Sequence, residues 1–308
     1  MHAIRLTNTV FEGENAVYVL DGDGPLTLID AGVATENGRS QLRAGLADAG
    51  HEVADVEQVL LTHWHHDHSG LAGWLQAERG ATVRIHAADA PLFEPGGFER
   101  FSADREDSFR EWGMPAAERE GLREFFAGFT SLVGEPVDVT PIEEGDRLRA
   151  GDRDLEVWHL PGHAAGLVGF VDDERNEAFV GDAILPRYTP NVGGADVRVE
   201  DPLGTYLETL ARLESAGLAR AYPGHRDPID DPAGRAREII AHHEERTERV
   251  RAVLEREGQA TAWEVSAALF GDLEGIHVMH GPGEAFAHLD HLRRRGVVER
   301  DGRRYALR

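Results

Sequence analysis

Residues 62–70 read Thr62-His63-Trp64-His65-His66-Asp67-His68-Ser69-Gly70 and directly follow the apolar run Val59-Leu60-Leu61. That run has the length and composition of a buried strand, so the histidines sit where a strand hands its end to a turn. Alternate residues of an extended segment point the same way. His63 and His65 can therefore grip one ion from one side, while Asp67 and His68, beyond the bend, can face a second. Imidazole and carboxylate are both donors that zinc accepts. Neither a packed core nor a solvated loop has reason to gather three such histidines and an aspartate within six residues. The pattern points to a metal-dependent hydrolase.

Three later segments repeat one device, an apolar strand, a glycine, then a side chain that can ligate. They are His159-Leu160-Pro161-Gly162-His163, Phe179-Val180-Gly181-Asp182 and Tyr222-Pro223-Gly224-His225. Each alone is weak, because a His or Asp after Gly is often only a turn residue. Together with the first cluster they supply a set of strand-end donors. No Gly-x-Ser-x-Gly elbow accompanies them, so a serine nucleophile has no support.

On these residues the chain resembles the metallo-β-lactamase superfamily, over roughly residues 1–230, through a His-x-His-x-Asp-His motif and three later ligands. The resemblance implies an α/β (α+β) fold, an αββα four-layer sandwich of two mixed sheets with the site at one edge. It implies two divalent metal ions, expected to be Zn2+ with Fe or Mn as alternatives. His63, His65 and His163 would hold the first, Asp67, His68 and His225 the second, and Asp182 would bridge them. Such an ion lowers the pKa of a bound water to roughly 7, so hydroxide is available at neutral pH. Asp67 and Asp182 are then the expected catalytic carboxylates, orienting the nucleophile, with Asp67 also able to shuttle a proton. Asp30 matches an acidic position that supports the first ligand loop, and Thr62 is expected to serve likewise. His66 falls at a variable position and is not expected to coordinate, and His159 is expected in packing or support.

Composition bounds the rest. The chain has 308 residues, 41% of them hydrophobic, enough for one large core and a small accessory domain. No apolar stretch approaches the roughly 20 residues of a membrane span. The start, Met1-His2-Ala3-Ile4-Arg5-Leu6, lacks a signal-peptide layout. A cytoplasmic protein with no membrane partner is the expectation. The absence of Cys removes disulfides, thiolate metal sites and thiol nucleophiles.

Two domains are expected, a catalytic one over 1–230 with a Phe-rich helical insert at 90–135, and a linker helix with a winged-helix-like unit over 231–308. Within the insert Leu122, Phe125, Phe126, Phe129 and Val133 recur at helical spacing. Such a stripe packs its helix down. The sharper alternative is that the insert overhangs the metal site or forms a homodimer contact. In the tail, Thr261 caps a helix through Phe270, Glu284–Arg295 reads as another, and Val297–Leu307 as a hairpin turning at Asp301-Gly302. The tail histidines, His242, His243, His277, His280, His288 and His291, read as solvated.

For substrate, the block Leu185-Pro186-Arg187-Tyr188-Thr189-Pro190-Asn191 follows Asp182 and is expected to line the pocket. There Arg187 could bind a carboxylate or phosphate, Tyr188 could donate to an oxyanion, and Asn191 could orient the substrate. A small-molecule ester, thioester or lactone is the favoured substrate. The tail resembles that of the lactamase-like group containing an endoribonuclease, which makes single-stranded RNA an alternative partner. A locally basic end, with Arg293, Arg294, Arg295, Arg300, Arg303, Arg304 and Arg308, fits a phosphate backbone, while a net charge of −24 opposes it. A third reading is a metal-bound winged-helix interaction protein without catalysis.

The 56 acidic residues face 32 basic ones, all Arg. Such a surface repels itself in dilute buffer, and at molar salt a Debye length of ~3 Å screens the repulsion. We read the acidity as adaptation to high salt rather than an Arg-rich coding bias on an ordinary acidic surface. Stability and activity are therefore expected to rise as KCl is raised from low to molar concentration. A monotonic fall in melting temperature and rate over that range would contradict the halophilic reading.

Overall fold

The computed structural model describes residues 1–8, 13–128 and 132–308. The first sheet is six-stranded, ordered β1 (His2–Leu6), β2 (Asn15–Leu20), β3 (Thr27–Ile29), β4 (Gln58–Leu60), β5 (Thr82–His86) and β6 (Val139–Ile142). Its first three strands run antiparallel, and β3 through β6 are parallel. Between these strands lie helices α1 (Glu36–Asp48), α2 (His66–Ser69), α3 (Ala72–Arg79), α4 (Gly97–Glu111) and α5 (Ala116–Ala127). The second sheet is five-stranded. It comprises β7 (Arg147–Ala150), β8 (Arg153–His159), β9 (Val168–Asp172), β10 (Glu177–Gly181) and, after helix α6 (Pro202–Ser215), β11 (Arg220–Pro223), in spatial order β11-β10-β9-β8-β7.

Strand periodicity explains how the layers stack. All six residues of β2 are buried, but its two faces meet different neighbours. Ala16, Tyr18 and Leu20 point between the sheets, in one cluster with Leu155, Val157, Phe170, Phe179 and Tyr222 of the second sheet. Val17 and Val19 point the other way, into the cluster that holds Leu42 and Leu46 of α1. On the far side Ala178 and Val180 of β10 share a cluster with Leu203, Tyr206 and Leu210 of α6. The result is helix, sheet, sheet, helix, the αββα sandwich.

The tail continues with α7 (Pro232–Glu257), β12 (Gln259–Ala260), α8 (Ala262–Phe270), α9 (His277–Arg294), β13 (Val298–Asp301) and β14 (Arg304–Leu307), the three strands forming a small sheet β12-β14-β13. Thr261 caps α8 with a reciprocal bond to Glu264. Helix α9 starts two turns earlier than the Gly281-Pro282-Gly283 segment suggests, and carries Pro282 inside it. The glycines there serve close approach rather than a break. A Cβ on Gly283 would stand 2.1 Å from the Cα of Gly194, and one on Gly281 2.4 Å from Leu273 Cδ1.

Two expectations about side chains need correction. Helix α5 ends at Ala127, so the apolar stripe stops at Phe126. Phe129 lies outside the described residues, and Val133 is 45% exposed. The tail histidines are not uniformly solvated either. His243 and His288 are fully buried where α7 meets α9, and burial pushes the His243 imidazole down to about 3. His243 lies on the same helical face as Ala236, Ile239, Val250 and Leu254, all of them buried.

A second apolar core joins the insert to the tail. Phe109, Trp112 and Leu122 from α4, its end and α5 cluster with Val250 and Leu254 of α7, Val265 of α8, Leu289 of α9 and Tyr305 of β14. Trp112 is 3% exposed, packs near Phe109 and Phe286, and its carbonyl accepts from Trp263 N–H. Trp112→Ala is therefore expected to cost about 3–5 kcal/mol, read as a lowered midpoint in urea at fixed salt. A midpoint within error of the parent would mean that insert and tail do not share a core.

Candidate metal centre

Every strand-end residue singled out by the sequence comes to one edge of the sandwich. Asp30 follows β3, the 62–68 turn follows β4, His163 lies in the turn after β8, Asp182 follows β10 and His225 follows β11. The two sheets are stitched together at this edge. Ala16 N–H donates to Gly224 O at 2.8 Å, Gly224 N–H to Gly181 O at 2.9 Å, and the Tyr18 hydroxyl to Pro223 O at 2.7 Å.

The donor atoms fall into two overlapping groups. His63, His65 and His163 each offer an atom within 4.8 Å of the others, as do Asp67, His68 and His225, and Asp182 joins His63 and His68 in a third such set. Asp182 Oδ2 lies 3.7 Å from His163 Nε2 and 3.4 Å from His225 Nε2, while its Oδ1 lies 3.6 Å from His68 Nε2. His225 Nε2 is also 3.4 Å from Asp67 Oδ2. These spacings exceed the 2.7–3.2 Å typical of N–H···O bonds. They are close to the roughly 3.3 Å between neighbouring ligand atoms of a tetrahedral ion with bonds near 2 Å.

Partners on the outer side of the rings fix which nitrogen faces in. His163 Nδ1 meets the carbonyl of Asn191 at 2.8 Å, and His225 Nδ1 meets that of Glu14 at 3.2 Å. A carbonyl only accepts, so both Nδ1 atoms carry the hydrogen. His68 Nδ1 donates to Asp30 Oδ2 at 2.8 Å. Thr62 spends its hydroxyl hydrogen on Asp30 Oδ2 at 2.9 Å, so it accepts from His63 Nδ1 at 3.0 Å. In the neutral rings all four Nε2 lone pairs then converge on each other and on two carboxylates. His68 Nε2 and Asp182 Oδ1 are buried without a hydrogen-bond partner among the described residues. A cation satisfies such an arrangement, so the residues present fit a bound metal.

Electrostatics agree. Burial drives His63 and His65 well below the ordinary imidazole value, which keeps both neutral. At His68 burial acts in the same direction but is outweighed by Asp182, Asp67 and Asp30, so the ring is pushed up. At His225 burial is likewise outweighed, by Asp182 and Asp67, and its value rises to about 10. Asp182 is held well below the usual carboxylate range, since His225 and His68 overcome its burial. Protons on His68 and His225 are thus what a metal would displace, and uptake should weaken as pH falls.

The glycines of the repeated device have a steric reason. A Cβ on Gly224 would lie 2.4 Å from His68 Cε1 and 2.7 Å from Asp182 Oδ1. Gly181 has φ +49°, and a Cβ there would lie 2.6 Å from Thr62 Oγ1. Asp182 and His225 are aimed inward because the glycine before each leaves room for another ligand or its support, whereas Gly162 before His163 makes room for Tyr206.

Sequence reasoning missed a buttress behind the ligand loops. Asp89 accepts from Trp64 N–H and Gly166 N–H, and Asp196 accepts from Trp64 Nε1–H and Ala165 N–H. Arg198 bridges the two carboxylates. The turn carrying His63 and His65 is thereby tied to the turn carrying His163. Asn8 and Asn15 were also missed, and their amides reach Asp67 Oδ2 at 3.4 and 3.3 Å. His159 packs, stacking on His86 at 4.1 Å. His66 faces Trp64 and Phe98.

A cavity of about 580 Å³ opens onto His65, Asp67, His163, Asp182 and His225. Helices α4 and α5 overhang it through Phe98, Phe109, Leu122, Phe125 and Phe126. Of the block after Asp182, Leu185, Pro190 and Asn191 line it. Arg187 and Tyr188 are exposed and lie off the cavity wall; the Tyr188 ring is covered by the Arg226 guanidinium and its carbonyl is held by Arg235. The Asn191 amide is committed to the chain itself, accepting from Gly194 and Ala195 N–H and donating to His280 O. Its carbonyl orients His163.

Residues 10–225 match the sequence model of the Metallo-beta-lactamase superfamily. The chain belongs to that superfamily. Membership makes it a hydrolase, with divalent metal binding through His and Asp groups. Among superfamily relatives, the Bacillus subtilis protein "Probable metallo-hydrolase YqjP" is 28% identical over 94% of this chain and 91% of its own length. A metallo-beta-lactamase family protein of Thermus thermophilus, TTHA1429, is 32% identical, with a TM-score of 0.88 over 100% of this chain and 98% of its own. An Emericella nidulans "Atrochrysone carboxyl ACP thioesterase" is 26% identical over 79% of this chain and 63% of its own length. No helix among the described residues is long and apolar enough to cross a membrane.

Gly224→Ala and Asp30→Asn are both expected to lower metal affinity by roughly 10- to 100-fold with the far-ultraviolet circular dichroism retained. Metal content after dialysis against a graded chelator reads this directly. Parent-like retention in either variant would remove its assigned role.

Proposed function

We propose that the chain is a dinuclear metal hydrolase, with zinc as the resident metal, acting on a small ester, thioester or lactone. The observation that carries the reading is the double donor cluster opening onto a largely apolar, half-open cavity. In it His63, His65 and His163 would hold one ion, Asp67, His68 and His225 the other, and Asp182 both. Ions bound there would supply Lewis-acid polarisation of the substrate oxygen and a hydroxide nucleophile at neutral pH.

The chain's own groups do the rest. Asp30 and Thr62 engage the outer nitrogens of His63 and His68, so the inward nitrogen of each ring is the one that would face a bound ion. Asp67 is held as a carboxylate, because His68 and His225 beside it outweigh its burial. Its Oδ2 receives the Asn15 amide, which orients it to accept a proton from the attacking water and return it to the leaving group. The aromatic wall of α4 and α5 excludes bulk water from that exchange.

The wall supports an apolar acyl substrate over RNA. Single-strand binding needs a basic groove with stacking platforms, and four arginines of the tail are paired with acids of the tail or of α4. Arg293 and Arg294 both bond Asp290, Arg304 bonds Glu264 and Arg300 bonds Glu111. Helix, helix, hairpin in 261–307 is here a winged helix used for packing rather than for nucleic acid. The thioesterase relative adds weight to an ester-like bond.

Purified protein is expected to carry about two zinc, iron or manganese ions per chain, with zinc predominant. Chelation should abolish hydrolysis of acyl esters and thioesters, and zinc should restore it. Asp67→Ala or His68→Ala should lower every such rate by at least roughly 100-fold. Less than about one ion per chain after reconstitution, or unchanged rates in these variants, would sink the proposal.

A further inference from the structure

The cavity wall is not chemically uniform. Amid its hydrocarbon surface stand three arginines, Arg105, Arg119 and Arg123. Two of them are paired locally, because Glu106 accepts from Arg119 at 2.5 Å and from Arg123 at 2.9 Å, and Glu120 also pairs with Arg123. Arg105 differs. It is only 9% exposed, and among the described residues its guanidinium has ring faces for company and no hydrogen bond or ion pair. It lies 4.4 Å from the centroid of Phe126 and 5.3 Å from that of Phe101. Aromatic faces favour the charge but leave its five N–H donors without acceptors. Asp196 and Glu106, the acids close enough to influence it, are already bonded to Arg198 and to Arg119 and Arg123, and burial brings Arg105 down only to about 10, so it stays cationic at neutral pH.

A buried cation without an anion is unfavourable in the free protein. In a chain with 56 acidic residues a partner was available at little cost in sequence. The bare guanidinium shares its wall with residues of the donor cluster, His163 and Asp182 among them. We propose that Arg105 anchors an anionic group of the substrate, so that the hydrolysed compound is an apolar ester or thioester that also bears a carboxylate. The nature of the cleaved bond rests on the hydrolase reading above, whereas the anion anchor stands on the cavity alone. One guanidinium on an apolar wall balances one charge, which suits a monocarboxylate and not a polyanionic chain. The volume of about 580 Å³ suits a compound of drug-like size.

A matched pair of dyes tests the anchor in the metal-loaded protein without any turnover. 1-Anilinonaphthalene-8-sulfonate is an apolar monoanion, and N-phenyl-1-naphthylamine is the same skeleton without the charge. In Arg105→Met the dissociation constant of the sulfonate, read by fluorescence, is expected to rise about tenfold or more. That of the neutral dye should stay within about twofold, which also reports an intact cavity. Arg105→Lys should recover part of the loss. An unchanged sulfonate affinity in Arg105→Met overturns the anchor, as does an equal loss of both dyes in both variants.

A kinetic arm compares mono-4-nitrophenyl suberate with 4-nitrophenyl octanoate. The parent is expected to prefer the carboxylate-bearing ester through KM, and Arg105→Met to erase that preference with kcat for the octanoate retained. Hydrolysis of both esters without such a preference overturns the anchor and leaves the hydrolase standing. Hydrolysis of neither ester, with the dye pattern intact, overturns the ester-hydrolase reading and leaves the anchor.

Discussion

The carboxylate of Asp30 accepts three hydrogen bonds, from Thr62 N–H at 2.7 Å, Thr62 Oγ1 at 2.9 Å and His68 Nδ1 at 2.8 Å, and the donor cluster depends on it. Through Thr62 it fixes the ring of His63, and directly it fixes that of His68, so one buried anion orients a member of each group. The backbone at Asp30 has φ 61°, a left-handed conformation uncommon for a non-glycine residue. That geometry lets a residue at the end of β3 reach across to the neighbouring turn. The parallel pairing of β3 with β4, Ile29 opposite Leu60, sets the reach. Sheet register is thus transmitted into ring orientation by a single side chain.

The same economy appears at the joint between the sheets. Gly224 donates to Gly181 O and its own carbonyl accepts from Ala16, so β2, β10 and β11 meet within hydrogen-bond distance of the ligands. This approach is open only to residues without a Cβ, since His68, Asp182 and Thr62 occupy the space a side chain would need. The cluster of lone-pair-rich imidazoles and carboxylates is therefore held by backbone geometry on one side and by Asp30, Asp89 and Asp196 on the other. A cation at its centre relieves the remaining repulsion.

Much of this is legible in the sequence because it is local. A strand followed by His-x-His-x-Asp-His, and three strands followed by glycine and a donor, are patterns a reader can see. The supports are not legible, because they join distant positions. Asp89 lies 25 residues from Trp64, and Asp196 lies 132 residues from it. Closeness in sequence to Asp182 draws Arg187 and Tyr188 to the pocket, yet the chain turns outward there and Arg226 and Arg235 hold it. Polarity alone makes His243 a solvated residue, although its spacing from Ala236, Ile239 and Val250 places it on the buried stripe of α7. Where polarity and period disagree on that helix, period decides.

The insert and the tail change how selectivity should be understood. The ligands are fixed by strand ends, whereas the opposite wall of the cavity belongs to α4, α5 and α9, which supplies Met279 and His280. Those helices share the second core with α7 and the small sheet. Gly283 of α9 seats against Gly194, beside the turn whose Asn191 carbonyl orients His163, and Phe101 of α4, Ile239 of α7 and Ala287 of α9 pack into the first core, so the two systems meet at several points. Donors and facing wall are thus carried by different elements whose cores adjoin. Arg105 accordingly stands on a helix of the wall, while the donors it overlooks stand on strand ends.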